Sequence, residues 1–287
     1  MIRSMTGFAI GDAEGSWGRI SWELRSVNHR YLDVQFRLPE DFRVIEAELR
    51  QLAGATLSRG KVEAQLRYTL AGGVQALEVD ETRIDQIKSA IDVIERAWGS
   101  LNTPDPMRVL AFNGVLRQQD IDFTPFLEAA RSSFTEVVKA LDDSRAREGE
   151  RLQEIIADRC DALATQVTAV RARYPQVRGA WMERLRQRCL ELDVEVDSSR
   201  LEQELALVGQ RLDVDEEMSR LEGHIEEVRS VLGRREAVGR RLDFLMQELN
   251  REANTLSSKS QDAEMTRCSV EMKVIIEQMR EQVQNIE

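Results

Sequence analysis

Aromatic residues make up only 5% of this 287-residue chain, cysteines number three, and no apolar run approaches the ~20 residues needed to cross a bilayer. Each shortage excludes something. Scarce aromatics rule out the stacking of many unpaired bases as the main mode of nucleic-acid binding. Cys160, Cys189 and Cys268 are odd in number, far apart and without metal-ligand spacing, so they read as reduced, buried thiols. The opening Met1-Ile2-Arg3-Ser4-Met5-Thr6-Gly7 lacks an apolar signal-peptide core, and the chain reads as cytoplasmic with no membrane partner. No Gly-rich phosphate loop followed by Lys, no nucleophile elbow and no HExxH pattern is present, and the only histidines are His29 and His224.

Charge is what the chain has in plenty. Charged residues are 32% and hydrophobic residues 42%, the balance of a soluble, helix-rich protein, and the length suggests about two domains. A net charge of -11 gives no long-range attraction for a polyanion, so any nucleic-acid site must be a local patch. The first seventy residues offer such a contrast, with Arg19, Arg25, Arg30, Arg37, Lys61 and Arg67 among their cations.

Residues 2–38 read as an antiparallel meander, because Ile20, Trp22 and Leu24, then Leu32, Val34, Phe36 and Leu38, alternate with polar residues. Ser26 to Arg30 joins two strands and sets His29 at an exposed corner. After Pro39, helically spaced Phe42, Ile45, Leu49 and Leu52 would cover the apolar face, and Val62, Ala64, Leu66 and Tyr68 mark a further strand. The fold class is therefore α+β: a small N-terminal antiparallel sheet with a helix over residues 1–80, a long-helix arm and oligomerisation region over 81–200, and a C-terminal helical catalytic domain over 201–287.

Ile84, Ile87, Ile91 and Ile94 form a stripe, and a proline-free tract then runs from about Pro125 to Tyr174. As one helix its ~50 residues would span ~75 Å, an arm suited to packing on another subunit. A break near Gly149 is the alternative, since glycine costs ~1 kcal/mol inside a helix, and Pro175 should end the tract. Leu242, Leu245, Leu249, Ala253 and Leu256 form one face of a later helix, while Asp243, Gln247, Arg251 and Asn254 share another. Short, directional polar groups suit fixed hydrogen bonds, either to neighbouring helices or to a ligand.

The pointed signal lies between. Asp213 and Glu216 have capping-box spacing, so a helix should begin here, with Glu217, Arg220, His224 and Glu227 on one face. Guanidinium, imidazole and carboxylate in line are the ingredients of phosphoryl chemistry, although a solvated helix face can carry the same stripe. Glu248 and Glu252, four apart, could share a metal ion or simply pair with Arg251.

Met1 to Phe8, Ser26-Val27-Asn28-His29-Arg30-Tyr31-Leu32-Asp33, Arg59-Gly60-Lys61-Val62 and Arg147-Glu148-Gly149 resemble the N-terminal region of the YicC/YloC family, and Asp213 to His224, Leu242 to Lys259 and Glu281 to Glu287 resemble its C-terminal domain. The resemblance covers nearly the whole chain. It implies an endoribonuclease stimulated by a divalent metal, Mg2+ or Mn2+, and assembled as a homohexameric ring or clamshell. The family's acidic and His motif falls on Asp213, Glu216, Glu217, Arg220 and His224, and its second polar motif on Asp243, Gln247, Glu248, Asn250, Arg251, Glu252, Asn254 and Lys259. Asn28, His29, Arg30 and Lys61 are implied to lie near the RNA path. Gly223 stands where the family has Ser, and Arg241 where it has Lys; both are mild departures.

On this reading His224 is a general acid or base, Glu217 orients it or holds metal, and Arg220 stabilises transition-state charge. The expected metal ligands are Asp213, Glu217, Glu248 and Glu252. RNA contacts are expected at Arg25, Asn28, His29, Arg30, Arg37, Lys61, Arg251, Asn254 and Lys259. The alternative is a non-catalytic RNA-binding adaptor that regulates RNA decay.

Overall fold

A computed structural model describes residues 2–71, 78–99, 102–117, 122–191, 209, 213–234 and 236–287. β1 (Gly7–Gly15), β2 (Gly18–Val27), β3 (Leu32–Arg37) and β4 (Gly60–Leu70) form one sheet in the order β1-β2-β4-β3. β2 is antiparallel to both β1 and β4. The expected meander needs correction at β3, which runs parallel to β4 rather than antiparallel to β2. The cause lies in residues 38–59: a 3-10 turn (Glu40–Ile45) and α1 (Glu46–Thr56) supply the long crossover that parallel neighbours require.

The alternation is otherwise as the sequence predicts. Ile20, Trp22, Leu24, Val62, Ala64 and Leu66 are buried on one face, beneath Phe42, Ile45 and Leu49. That face is completed by α4 (Thr124–Glu191), whose Phe126, Ala130, Phe134, Val138 and Leu141 enter the same core. Trp22 Nε1 donates to the Ala130 carbonyl at 3.1 Å, and a Cβ on Gly11 would sit 2.1 Å from Val137 Cγ2, so β1 and α4 touch through a missing side chain.

The long tract is one helix of 68 residues, about 100 Å. The alternative break near Gly149 does not occur, nor does the expected end at Pro175. A Cβ at Gly149 would lie 2.2 Å from the Ile2 carbonyl oxygen, so glycine serves the close passage of the N-terminal segment across the helix. Pro175 removes one intrahelical hydrogen bond, yet Val170, Tyr174 and Val177 hold the chain on both sides by packing on the second core. Through Tyr174 the helix is a spine shared by two cores rather than a free arm. Its Leu152, Ile156, Cys160, Leu163 and Val167 join α5 (Asp215–Leu232), α6 (Gly239–Lys259) and α7 (Ala263–Val283) in that second core.

Cys160 and Cys268 are buried free thiols, and burial pushes the Cys160 thiol up to about 11, which keeps it unreactive. The Cys189 side chain lies outside the described residues. The short β5 (Glu78–Val79) and β6 (Leu116–Arg117) pair antiparallel and bracket α2 (Glu81–Trp98) and α3 (Pro106–Leu110). The Ile84, Ile87, Ile91 stripe faces α3, but no α2 residue is fully buried by the described residues.

The chain ends join the two cores. Met5 N donates to the Asn285 carbonyl at 2.7 Å and Glu287 N to the Arg3 carbonyl at 3.0 Å. Arg145, 1% exposed, donates to the Ser4 carbonyl and the Glu287 carboxylate, each at 2.6 Å. Its desolvation pulls the guanidinium pKa down from its ordinary value. Among the described residues no helix is long and apolar enough to cross a membrane.

Candidate active site

α5 and α6 lie antiparallel. Their charged partners run in opposite order: Glu227 with Arg241, Arg220 with Glu252, Glu217 with Lys259. The α6 stripe Leu242, Leu245, Leu249, Ala253 and Leu256 is fully buried, as its spacing predicts. Glu252, adjacent to Ala253, is carried into the seam and retains only 3% exposure. There it meets His224 of α5 and Glu248, one turn earlier on α6. One ligand atom from each of the three lies within 4.8 Å of the others.

Arg220 completes the cluster. One guanidinium nitrogen is 3.4 Å from Glu252 Oε1 and another donates to Glu216, and these two carboxylates, Glu216 first, raise its pKa. Half of the Arg220 side chain is in solvent, so the guanidinium reaches from the buried acid to the surface. Arg251, also largely exposed, stands 3.8 Å from Glu248.

Asp213 and Glu217, expected as metal ligands, are engaged elsewhere. Asp213 Oδ1 accepts from Asp215 N at 3.0 Å and from the Tyr174 hydroxyl at 3.4 Å. The helix therefore starts without the expected capping box: Val214 is its N-cap residue, and Glu216 turns outward to Arg220. Glu217 Oε1 accepts from Lys259 Nζ at 2.8 Å, and Lys259 also donates to the Asp213 carbonyl, so this lysine is largely neutralised. Glu217 Oε2 is buried with no hydrogen-bond partner among the described residues.

The other polar residues of α6 are bonded along the helix: Gln247 donates to Asp243 at 3.0 Å and Asn254 to Asn250 at 3.3 Å. Gln247 and Asn254 are exposed, while Asp243 and Asn250 are half-buried.

Three arginines of the sheet are paired with acids, whereas among the described residues Arg67 reaches only the Gln65 side-chain oxygen and Arg59 only the His29 carbonyl. Arg25 pairs with Glu23, Arg37 with Glu63 and Arg19 with Asp12 and Glu14. Arg30 lies over the Tyr31 ring, His29 Nδ1 is 2.9 Å from the Tyr31 carbonyl, and Lys61 is half-buried in β4. Asn28 Nδ2 donates to the Gln284 carbonyl at 2.6 Å, tying its loop to the C-terminal segment. About 150 residues separate this group from the seam in sequence, and no hydrogen bond or ion pair joins the two among the described residues.

One imidazole nitrogen and two carboxylate oxygens form a donor set fit for a small divalent cation. Mg2+ prefers oxygen ligands alone, whereas Mn2+ also accepts an imidazole. Reading α5 as a stripe missed this set because it pairs His224 with α6 residues; the only sequence signal was the i, i+4 spacing of Glu248 and Glu252.

Comparison with known proteins agrees with this layout. Residues 2–154 match the N-terminal region of the YicC-like endoribonucleases and residues 170–287 their C-terminal domain. A probable endoribonuclease YicC of Haemophilus influenzae is 42% identical, and one of Clostridioides difficile 30% identical, each alignment spanning 100% of both chains. The chain belongs to the YicC-like endoribonuclease family.

Proposed function

We propose that this protein is an endoribonuclease that cleaves RNA phosphodiester bonds at the α5–α6 seam, with His224, Glu248 and Glu252 holding Mn2+ or Mg2+. The observation that carries this reading is the convergence of those three donors around a nearly buried carboxylate, in a chain whose full-length relatives are named probable endoribonucleases. When bound, the cation supplies Lewis acidity at the scissile phosphate. Arg220 binds a non-bridging phosphate oxygen and offsets charge that grows in the transition state. Arg251, at the exposed lip, receives a neighbouring phosphate. Glu217 acts indirectly by fixing Lys259 at the end of the seam.

A second reading is favoured by Arg220, which already balances Glu252 and so leaves His224 free to move protons. His224 then takes the proton of the ribose 2′-hydroxyl. Attack by that hydroxyl on phosphorus breaks the P–O5′ bond and leaves a cyclic phosphate, the departing 5′-oxygen taking a proton from solvent to become a 5′-hydroxyl, whereas attack by water breaks the P–O3′ bond and leaves a 5′-phosphate. Mapping product ends on one defined RNA, with Mn2+ and with chelator, separates the two. The metal-holding reading expects 5′-phosphate ends and loss of cutting in chelator; chelator-resistant cutting with cyclic ends would remove the cation from the mechanism.

Assembly into a homohexamer that encloses the seam is also part of the proposal. Its support is the incompletely covered α2–α3 unit, and its test is the mass of the purified chain in solution. A monomer at working concentration would refute it.

A further inference from the structure

We propose that the far end of α4, through Arg178, Trp181 and Arg184, is a single-strand RNA contact that delivers the substrate to the α5–α6 seam. The proposal rests on the endoribonuclease reading and names residues that neither the family motifs nor the seam include.

The first observation is electrostatic. Between residues 171 and 191 the helix carries Arg171, Arg173, Arg178, Arg184, Arg186 and Arg188 against Glu183 and Glu191, a local excess of positive charge in a chain of net charge -11. Arg171 and Arg173 are used internally, paired with Glu222 and Asp262 at 3.0 Å each, and dock α4 on α5 and α7. Beyond Pro175 the pattern changes. Arg178 and Arg184 have no acidic partner among the described residues, and Arg184 is bonded only to the Ala180 carbonyl of its own helix. On the sheet, by contrast, Arg19, Arg25 and Arg37 each have an acid beside them.

The second observation is geometric. At 100° per residue, Arg178, Trp181 and Arg184 fall within about one third of a helical turn. Trp181 is half-buried and stands between Arg178 and Arg184 in order around that face. They border a narrow recess of about 20 Å³ with Tyr174, Lys259 and Met265, too small for a base, so a strand would lie across its rim. Lys259 joins this cavity to the candidate site: it bonds Glu217, which is one turn from Arg220, which reaches Glu252. From Glu217 to His224 the rise along α5 is about 10 Å.

The chemistry of that arrangement selects its ligand. Two guanidinium groups with no acidic partner among the described residues bind backbone phosphates, and the indole on the same face stacks one base; a duplex offers no exposed base face to the indole. Lys259 contributes little charge because Glu217 neutralises it. Trp181 is one ring, so the scarcity of aromatics is no objection.

The test uses the full-length protein, a short fluorescent single-stranded RNA and a salt titration. Arg178→Ala/Arg184→Ala should lower the slope of log affinity against log salt by about 1.4, two phosphates at ~0.7 each. Trp181→Ala should weaken binding by about 5- to 100-fold, while Trp181→Phe retains most affinity. All variants should keep wild-type helicity and, at saturating RNA, the wild-type cleavage rate, so that KM rises while kcat holds. Unchanged affinity and salt slope in folded variants would overturn the proposal. An equal loss for duplex RNA would overturn the base-stacking role. If wild type binds with these dependences but never cuts, the delivery site stands as an RNA contact and the endoribonuclease reading fails instead.

Discussion

The sheet surface and the α5–α6 seam both carry arginine and carboxylate, yet they use them in opposite ways. On the sheet, Arg25, Arg37 and Arg19 each meet an acid in open solvent, where such pairs contribute little energy and present no net field. In the seam, Glu217 and Glu252 are nearly buried, and more acid is gathered there than Arg220 and Lys259 can balance. Burying a carboxylate beside another is unfavourable unless something cationic shares the space. The proposal that the seam takes the ligand and the sheet is its scaffold rests on this difference.

The largest effect that could break this contrast is catalytic. His224→Ala and Glu252→Gln should each lower single-turnover RNA cleavage by about 10²- to 10⁴-fold with RNA affinity nearly retained, whereas Arg25→Ala and Arg37→Ala should cut at rates close to wild type. Comparable losses from both sets would erase the distinction between scaffold and site.

Next comes the junction that couples the two units. Arg145→Met removes the cation between Ser4 and Glu287 and should cost about 3 kcal/mol, read as a lower urea midpoint. Gly149→Ala should cost about 1–3 kcal/mol, because the added methyl meets the Ile2 carbonyl. If only one of the two cores loosens in either variant, the units are less coupled than the shared spine implies.

The smallest effect concerns pH. Asp262 caps α7 and accepts from Arg173, which with the backbone N–H of Met265 and Glu264 lowers its carboxyl pKa below 3.8. A lowered pKa contributes stability above the ordinary carboxylate value that disappears as pH falls through the depressed one. Asp262→Asn should therefore be slightly less stable than wild type at pH 7, and the gap should close in acid; a gap independent of pH would show that the charge is not involved.

Much of the architecture was legible in the sequence. Period-2 alternation marked Ile20, Trp22 and Leu24, and period-3.6 spacing marked Leu242 to Leu256, because burial on one face imposes both patterns. Strand order was not legible: the pattern of Leu32 to Leu38 says which face is buried but not whether the neighbour is parallel. Gly149 and Pro175 misled for a related reason, since each is reconciled with the helix by partners distant in sequence, Ile2 in one case and the second core in the other.

The candidate site was half legible. His224 and Arg220 stood out, but their acidic partner Glu252 comes from a helix that only tertiary packing brings near. Several motifs that resemble the family's, the Ile2 to Phe8 part of the opening segment, Arg147-Glu148-Gly149 and Glu281 to Glu287, meet at the junction rather than at the seam. Resemblance alone does not distinguish a hinge of the fold from a place of chemistry.

The central claim is that RNA is cut at the seam and not on the sheet. A photoactivatable nucleotide placed at the scissile position, crosslinked to the Glu252→Gln protein and mapped by peptide, tests it most directly. The account predicts adducts on α5 and α6 around His224 and Arg251. Adducts confined to β2, β3 and the Asn28–His29–Arg30 loop would contradict it.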